Sequence, residues 1–257
     1  MYFDSHCHYD FADFDNDRRS IWQQCQVQGI RRLLIPGVSP PQWPLALAIA
    51  RDYEGIVTAA GIHPWWVAQL PGQTLTTTIR DQLAASIQQP LCVAVGECGL
   101  DGLIDSELPP QQACFELHLQ LATELALPLI IHVRKTHHQT LALLRRYQPT
   151  AGGVIHGFSG SLELAQAYWR LGFYLGIGGV ITYERARKTR AVVTAMPLES
   201  LLLETDAPDM PLQGFQGQPN SPLQLPKIAQ ALAELRGESI DLVATTTTDN
   251  GLRLFNL

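Results

Sequence analysis

No apolar run in this chain approaches the ~20 residues that span a bilayer, and the opening MYFDSHCHYD has no basic segment followed by an apolar stretch. A membrane span, a signal peptide and a transit peptide are therefore not expected, and the chain reads as cytoplasmic. Cysteine is sparse: Cys7, Cys25, Cys92, Cys98 and Cys114 are odd in number and scattered, with no Cys-x-x-Cys. That argues against a disulfide framework and against a zinc ribbon, and leaves reduced thiols. Positive charge is short too, since 18 Lys and Arg against 24 Asp and Glu leave a net charge of −6 at pH 7. Such a field repels a polyanion, so any nucleic-acid contact must be local, and bound metal ions are one source of local positive charge. No Ser/Gly-rich linker or low-complexity break interrupts the chain. Residues 1–257 read as one domain, and nothing calls for an obligate protein partner.

What is present is an alternation of short apolar runs with longer amphipathic ones. Strands are expected over 2–6, 32–36, 56–61, 91–97, 128–132, 153–156, 173–178 and 201–206. Most are continuous runs rich in Val, Ile and Leu, as in parallel strands buried on both faces. Helices are expected over 15–28, 42–53, 74–89, 110–126, 135–147, 162–171, 184–195 and 222–236. Gly29 and Gly172 follow two of them as candidate left-handed caps, and Pro110 stands at a start. Eight strands each followed by a helix point to an α/β fold, a (β/α)8 TIM barrel. The tail, with Thr245-Thr246-Thr247-Thr248 and then Leu252, Leu254 and Phe255, reads as a last helix with an irregular centre packed on the barrel exterior.

Polar residues collect at the expected strand ends. His6 and His8 close the first strand, and residues two apart in an extended chain face one side, so both imidazoles can reach one ion while Cys7 faces away. His63, Glu97, His132, His156 and Asp206 close the third, fourth, fifth, sixth and eighth. Singly, each has a plain structural explanation: a capped carboxylate, or a histidine held by a carbonyl. In a barrel, however, these ends meet on one rim, and one metal site is the more economical account. The donors suit two divalent ions, with His6, His8 and Asp206 on one, His132 and His156 on the other, and Glu97 bridging. Mixed imidazole and carboxylate ligation fits zinc, and also manganese or cobalt, better than magnesium. Two ions roughly 3.5 to 4 Å apart activate water for hydrolysis of a phosphoester or amide, with Asp206 and Glu97 as the catalytic carboxylates and Asp206 the candidate base.

The segments DSHCH from Asp4, GIHP from Gly61, GECGLD from Gly96, IIHVR from Ile130, IHGFSGS from Ile155, LLLETDAP from Leu201 and TTTDNGLRLF from Thr246 run in order along almost the whole chain. Together they resemble the TatD family of metal-dependent deoxyribonucleases, within the amidohydrolase-like barrels. The resemblance implies the barrel, a two-metal centre on His6, His8, Glu97, His132, His156 and Asp206, and hydrolysis of phosphodiesters, often from a DNA 3′ end. It also implies substrate contacts at His63, Arg134, Asp101 and Ser159.

One stretch departs from that pattern. Where family members often carry a basic loop after the last ligand, this chain has Gln213-Gly214-Phe215-Gln216-Gly217-Gln218-Pro219, without charge. That keeps open a small phosphomonoester or a cyclic amide as substrate, or a metal-binding protein without catalysis. Arg185, Arg187, Lys188 and Arg190 form a compensating basic set or a solvated helix face, and Trp65-Trp66 either stacks on a base or packs a loop.

Overall fold

A computed structural model describes residues 1–70 and 75–257. Eight strands, β1 Tyr2–Asp4, β2 Ile30–Ile35, β3 Ile56–Ala60, β4 Cys92–Asp101, β5 Leu129–Arg134, β6 Gly153–Ile155, β7 Phe173–Ile177 and β8 Leu201–Leu203, pair in parallel in chain order. Around them lie α1 Arg18–Val27, α2 Trp43–Asp52, α3 Pro64–Gln69, α4 Thr77–Ile87, α5 Leu108–Leu125, α6 His137–Tyr147, α7 Leu162–Arg170, α8 Arg187–Ala195, α9 Leu225–Arg236 and α10 Ile240–Phe255. The expected (β/α)8 barrel is present. Gly29 and Gly172 do take left-handed φ of 84° each. Thr74, where the third of the expected helices begins, lies outside the described residues. None of the helices among the described residues is long and apolar enough to cross a membrane.

β8 and β1 share no ladder. Their seam closes instead through Ser5 N–H to Leu203 O at 3.0 Å, Asp206 N–H to His6 O at 2.8 Å and His8 N–H to Ala207 O at 2.8 Å. β4 is the longest strand, and its pairing with β5 continues through Gly99 opposite His132 to Asp101 opposite Arg134. Gly99 takes φ 142°, and a Cβ there would meet His132 O at 2.1 Å, so only glycine permits this approach.

Two apolar clusters divide the core. The larger joins the outer faces of the strands to the helices. The smaller gathers Phe3, Leu34, Val57, Ala59, Ala94, Ile130, Val154 and Leu202, which fill the barrel interior, and its one helical member is Phe255. The tail therefore differs from the sequence expectation: α10 is unbroken and its end plugs the barrel. The threonine run tolerates helix because Thr247 Oγ1 donates to Val243 O at 2.8 Å and Thr248 Oγ1 to Met1 O at 3.1 Å. Asn250 Nδ2 donates to Leu198 O and Leu201 O at 3.0 and 2.9 Å, fixing the helix to the entry of β8. Gly251 lets α10 approach, since a Cβ would lie 2.6 Å from the Phe3 ring. Phe255→Ala should cost about 3 to 5 kcal/mol in urea unfolding; a loss below about 1 kcal/mol would remove Phe255 from the interior.

Candidate metal centre

β1 ends at Asp4, so His6 and His8 lie beyond the strand. The chain there stays extended enough for both rings to face the barrel mouth, while Cys7 is fully buried with Sγ 3.7 Å from Ala207 O. The buried Asp4 carboxylate accepts from His6 N at 3.3 Å, Thr205 N at 3.0 Å and Thr205 Oγ1 at 2.6 Å. It ties the His6 segment to the residue before Asp206, and burial, against the Thr205 contacts, pushes its carboxyl up to about 7. Asp206 has φ 56°, a left-handed conformation that Asp adopts more readily than most residues.

Glu97 reaches the same point from within β4, where both of its oxygens are engaged. Oε2 lies 3.3 Å from His6 Nε2 and 3.7 Å from His8 Nε2. Oε1 lies 2.9 Å from His156 Nε2, 3.0 Å from His132 Nδ1 and 3.3 Å from His63 Nε2. Asp206 Oδ1 completes one side at 3.5 Å from His6 Nε2 and 3.6 Å from His8 Nε2. All six expected donors converge.

The expected substrate residues divide. His63 and Arg134 line a cavity of about 410 Å³ over the donors, walled also by Phe11, Trp65, Trp66 and Met210. His63 caps α3, its Nδ1 accepting from Trp65 N at 3.1 Å. The neutral ring then carries its proton on Nε2, which suits a hydrogen-bond donor better than a metal ligand. Asp101 does not line that cavity. Because β4 runs on to Asp101, its Oδ2 meets His132 Nε2 at 3.0 Å and its Oδ1 accepts from Leu103 N, which directs His132 Nδ1 toward Glu97. Ser159 is also outside, beyond Gly157 on a neighbouring groove.

Three contributors escaped the sequence reading. Glu204 is fully buried, accepts from Gly157 N–H and lies 3.8 Å from His156 Nδ1; burial pushes its carboxyl up to about 8, opposed by His156. An acid inside the apolar run 201–205 was its signal. His118 on α5 accepts from Ile62 N at 3.0 Å and donates from Nδ1 to Cys114 O at 2.8 Å, holding the segment that delivers His63. Burial pushes it down to about 4, so it remains a neutral strut. Asp4 is the third, legible only as the head of the first motif.

The electrostatics fit a cation directly on the His6 and His8 side. On the other side burial lowers His156 and His132, but Glu97 outweighs it and holds His156 up at about 10. Asp101 with Glu97 raises His132, so an ion there would have to displace their protons. Burial, reinforced by His156, holds His6 well below its ordinary pKa, and burial brings His8 down to about 4. Both rings are neutral at pH 7 and keep lone pairs free. Burial raises Glu97, but His156, His63 and His6 outweigh it and the carboxyl ionises well below the usual range. Burial lifts Asp206 to about 7. His6 Nε2 has no hydrogen bond of acceptable geometry although it is wholly enclosed, a cost that a bound ion would remove. His6, His8 and Glu97, and His6, His156 and Asp206, each bring three donor atoms within 4.8 Å of one another.

Comparison with known proteins agrees. The family model described as TatD related DNase matches residues 3–256. The uncharacterized metal-dependent hydrolase YjjV of Escherichia coli K12 is 40% identical, covering 100% of this chain and 98% of that protein. The 3′-5′ ssDNA/RNA exonuclease TatD of Cronobacter sakazakii is 36% identical over 95% of this chain and 94% of its own. The crystal structure of YjjV superposes with a TM-score of 0.92, covering 100% of this chain and 98% of that one. The chain belongs to the TatD-related DNase family of metal-dependent hydrolases.

Proposed function

We propose that this protein is a phosphodiesterase that removes nucleotides from the 3′ end of single-stranded DNA, using two divalent ions. The observation that carries this reading is the division of Glu97, with Oε2 facing His6 and His8 and Oε1 facing His132 and His156. His6, His8 and Asp206 would hold one ion, His132 and His156 the other, with Glu97 shared. The imidazole-rich set favours zinc, with manganese, cobalt or magnesium as substitutes. Bound there, divalent ions would supply Lewis acidity for water activation and for the charge that builds on the phosphoryl and leaving oxygens. The five buried, unpaired thiols support a cytoplasmic setting.

The remaining chemistry belongs to the side chains. The Asp206 side chain is 16% exposed where that of Glu97 is 2%, so it opens toward the cavity and accepts the proton of the attacking water. His63 Nε2–H donates to a phosphate oxygen and Arg134 pairs with the same phosphate. The indole of Trp65, 53% exposed and edge-on to the His63 ring at 4.6 Å, offers a platform for the terminal base. Metal-loaded protein should shorten 5′-labelled single-stranded DNA stepwise, and chelation should stop it. The uncharged loop over 213–219 and the lone Arg134 favour one alternative, a small phosphomonoester. Preference for a chromogenic phosphomonoester over the oligonucleotide would decide for it.

Asp101 acts through His132 in this reading. Asp101→Asn should weaken metal affinity about 10- to 100-fold, measured by competition with a chromophoric chelator. Unchanged affinity would show that the Asp101 contact does not orient a ligand.

A further inference from the structure

A second cavity, of about 690 Å³, adjoins the metal cavity and shares Met210 with it. Its far wall is formed by Tyr183, Arg185, Ala186, Arg187, Lys188 and Thr189 at the entry to α8, while the exposed Glu184 between them does not line it. Ser159 stands on its near side, two residues beyond Gly157 of the metal cavity. The two spaces are thus contiguous at Met210 and along 157–159.

The charge in this groove is unusual for the molecule. Arg185, Arg187 and Lys188 are all exposed, and none takes part in an ion pair among the described residues. Ion pairs are sparse among the described residues, with Arg18, Arg146 and Arg236 alone of the Lys and Arg side chains paired to carboxylates, so what sets the groove apart is three cations gathered on one short cavity wall. Arg190, the fourth cation of the segment, is committed to the fold by donating to Ile181 O at 2.8 Å. Arg185 is held against the wall, its guanidinium 5.0 Å from the Tyr183 ring centre, while Tyr183 donates its hydroxyl to Pro211 O at 2.6 Å. The groove also ends at the start of α8, where Ala186 supplies no capping side chain. The first-turn N–H groups there favour an anion. In a chain of net charge −6, three cations lining one groove make a local positive site that suits an anionic partner.

We propose that this groove carries the phosphodiester backbone of the strand leading to the nucleotide being removed, with Arg185, Arg187 and Lys188 contacting successive phosphates. The proposal rests on the nuclease reading of the adjoining cavity and extends it by replacing the basic loop that this chain lacks at 213–219. The one ring on the wall, Tyr183, is covered by Arg185, so the groove offers charge rather than base stacking. Recognition there is independent of sequence and dependent on salt.

The test uses metal-loaded wild type and the double variant Arg187→Gln/Lys188→Gln on a long single-stranded oligonucleotide and on thymidine 5′-(4-nitrophenyl) phosphate. The ratio of kcat/KM for the oligonucleotide to that for the small diester should fall roughly tenfold in the variant, mainly through KM. The slope of log kcat/KM against log salt should fall by about 1.4, for two lost contacts at ~0.7 each on single strands. An unchanged ratio and slope, with wild type still cutting DNA, would overturn the groove and leave the nuclease reading standing. If wild type hydrolyses the small diester but neither cuts the oligonucleotide nor binds it by fluorescence anisotropy, both fall together. Oligonucleotide binding weakened by the variant without any cutting would keep the groove and remove only the nuclease reading.

Discussion

Glu97→Gln should lose bound metal and turnover together, with metal content well below that of wild type and kcat reduced roughly 10³-fold or more, about 4 kcal/mol in the barrier. The substitution preserves volume inside a buried cluster. It replaces an anion that faces five imidazoles with an amide that can present one oxygen only. Whichever way that amide turns, its NH2 points at either the His6 and His8 side or the His132 and His156 side, where Glu97 now offers an acceptor. Elemental analysis after dialysis and a steady-state assay on the same sample would measure both quantities. Full metal content with wild-type turnover would dismiss Glu97 as the shared ligand.

Asp206→Asn should separate metal from chemistry. Asn tolerates the left-handed φ of 56° nearly as well as Asp, so the backbone and the Asp206 N–H to His6 O bond are kept. His132, His156 and Glu97 are untouched, and metal on their side should remain. Loss of the proton acceptor should lower kcat by about 10²- to 10⁴-fold and flatten the acidic limb of the pH–rate profile, with circular dichroism unchanged. A variant that keeps its rate would assign proton acceptance elsewhere. Ala at the same position confounds the result, because it lacks the short polar side chain that makes the left-handed φ tolerable for Asp and Asn.

These expectations rest on donors that are legible in the sequence, for identifiable reasons. Eight apolar runs separated by amphipathic ones admit little besides a barrel, and a barrel brings strand ends to one rim. His6 and His8 were paired by a period-two argument that still holds although β1 stops at Asp4, since Cys7 turns inward between them. The expected fourth strand ends at Glu97, short of Asp101; the pairing of β4 with β5 that continues through Gly99 to Asp101 is a tertiary fact. His118 could not be picked out, as one histidine on a mostly apolar helix gives no hint that its far nitrogen meets Ile62 N. α3 was hidden by its brevity, and the plug at Phe255 by a threonine run whose hydroxyls are satisfied only once α10 has docked on the strands.

The seam between β8 and β1 gives the metal a second consequence. His6 and His8 lie on one side of it and Asp206 on the other, separated by about two hundred residues of chain. Closing so long a loop has an entropic cost that the three backbone hydrogen bonds at the seam must offset. An ion held by those three side chains would be a crosslink between the two ends of the barrel, and its binding free energy would add directly to the folding free energy. Chelation should then lower the melting temperature and release amide protons first at Ser5, His8 and Asp206, and an ion so held would serve as a staple of the fold as well as in catalysis.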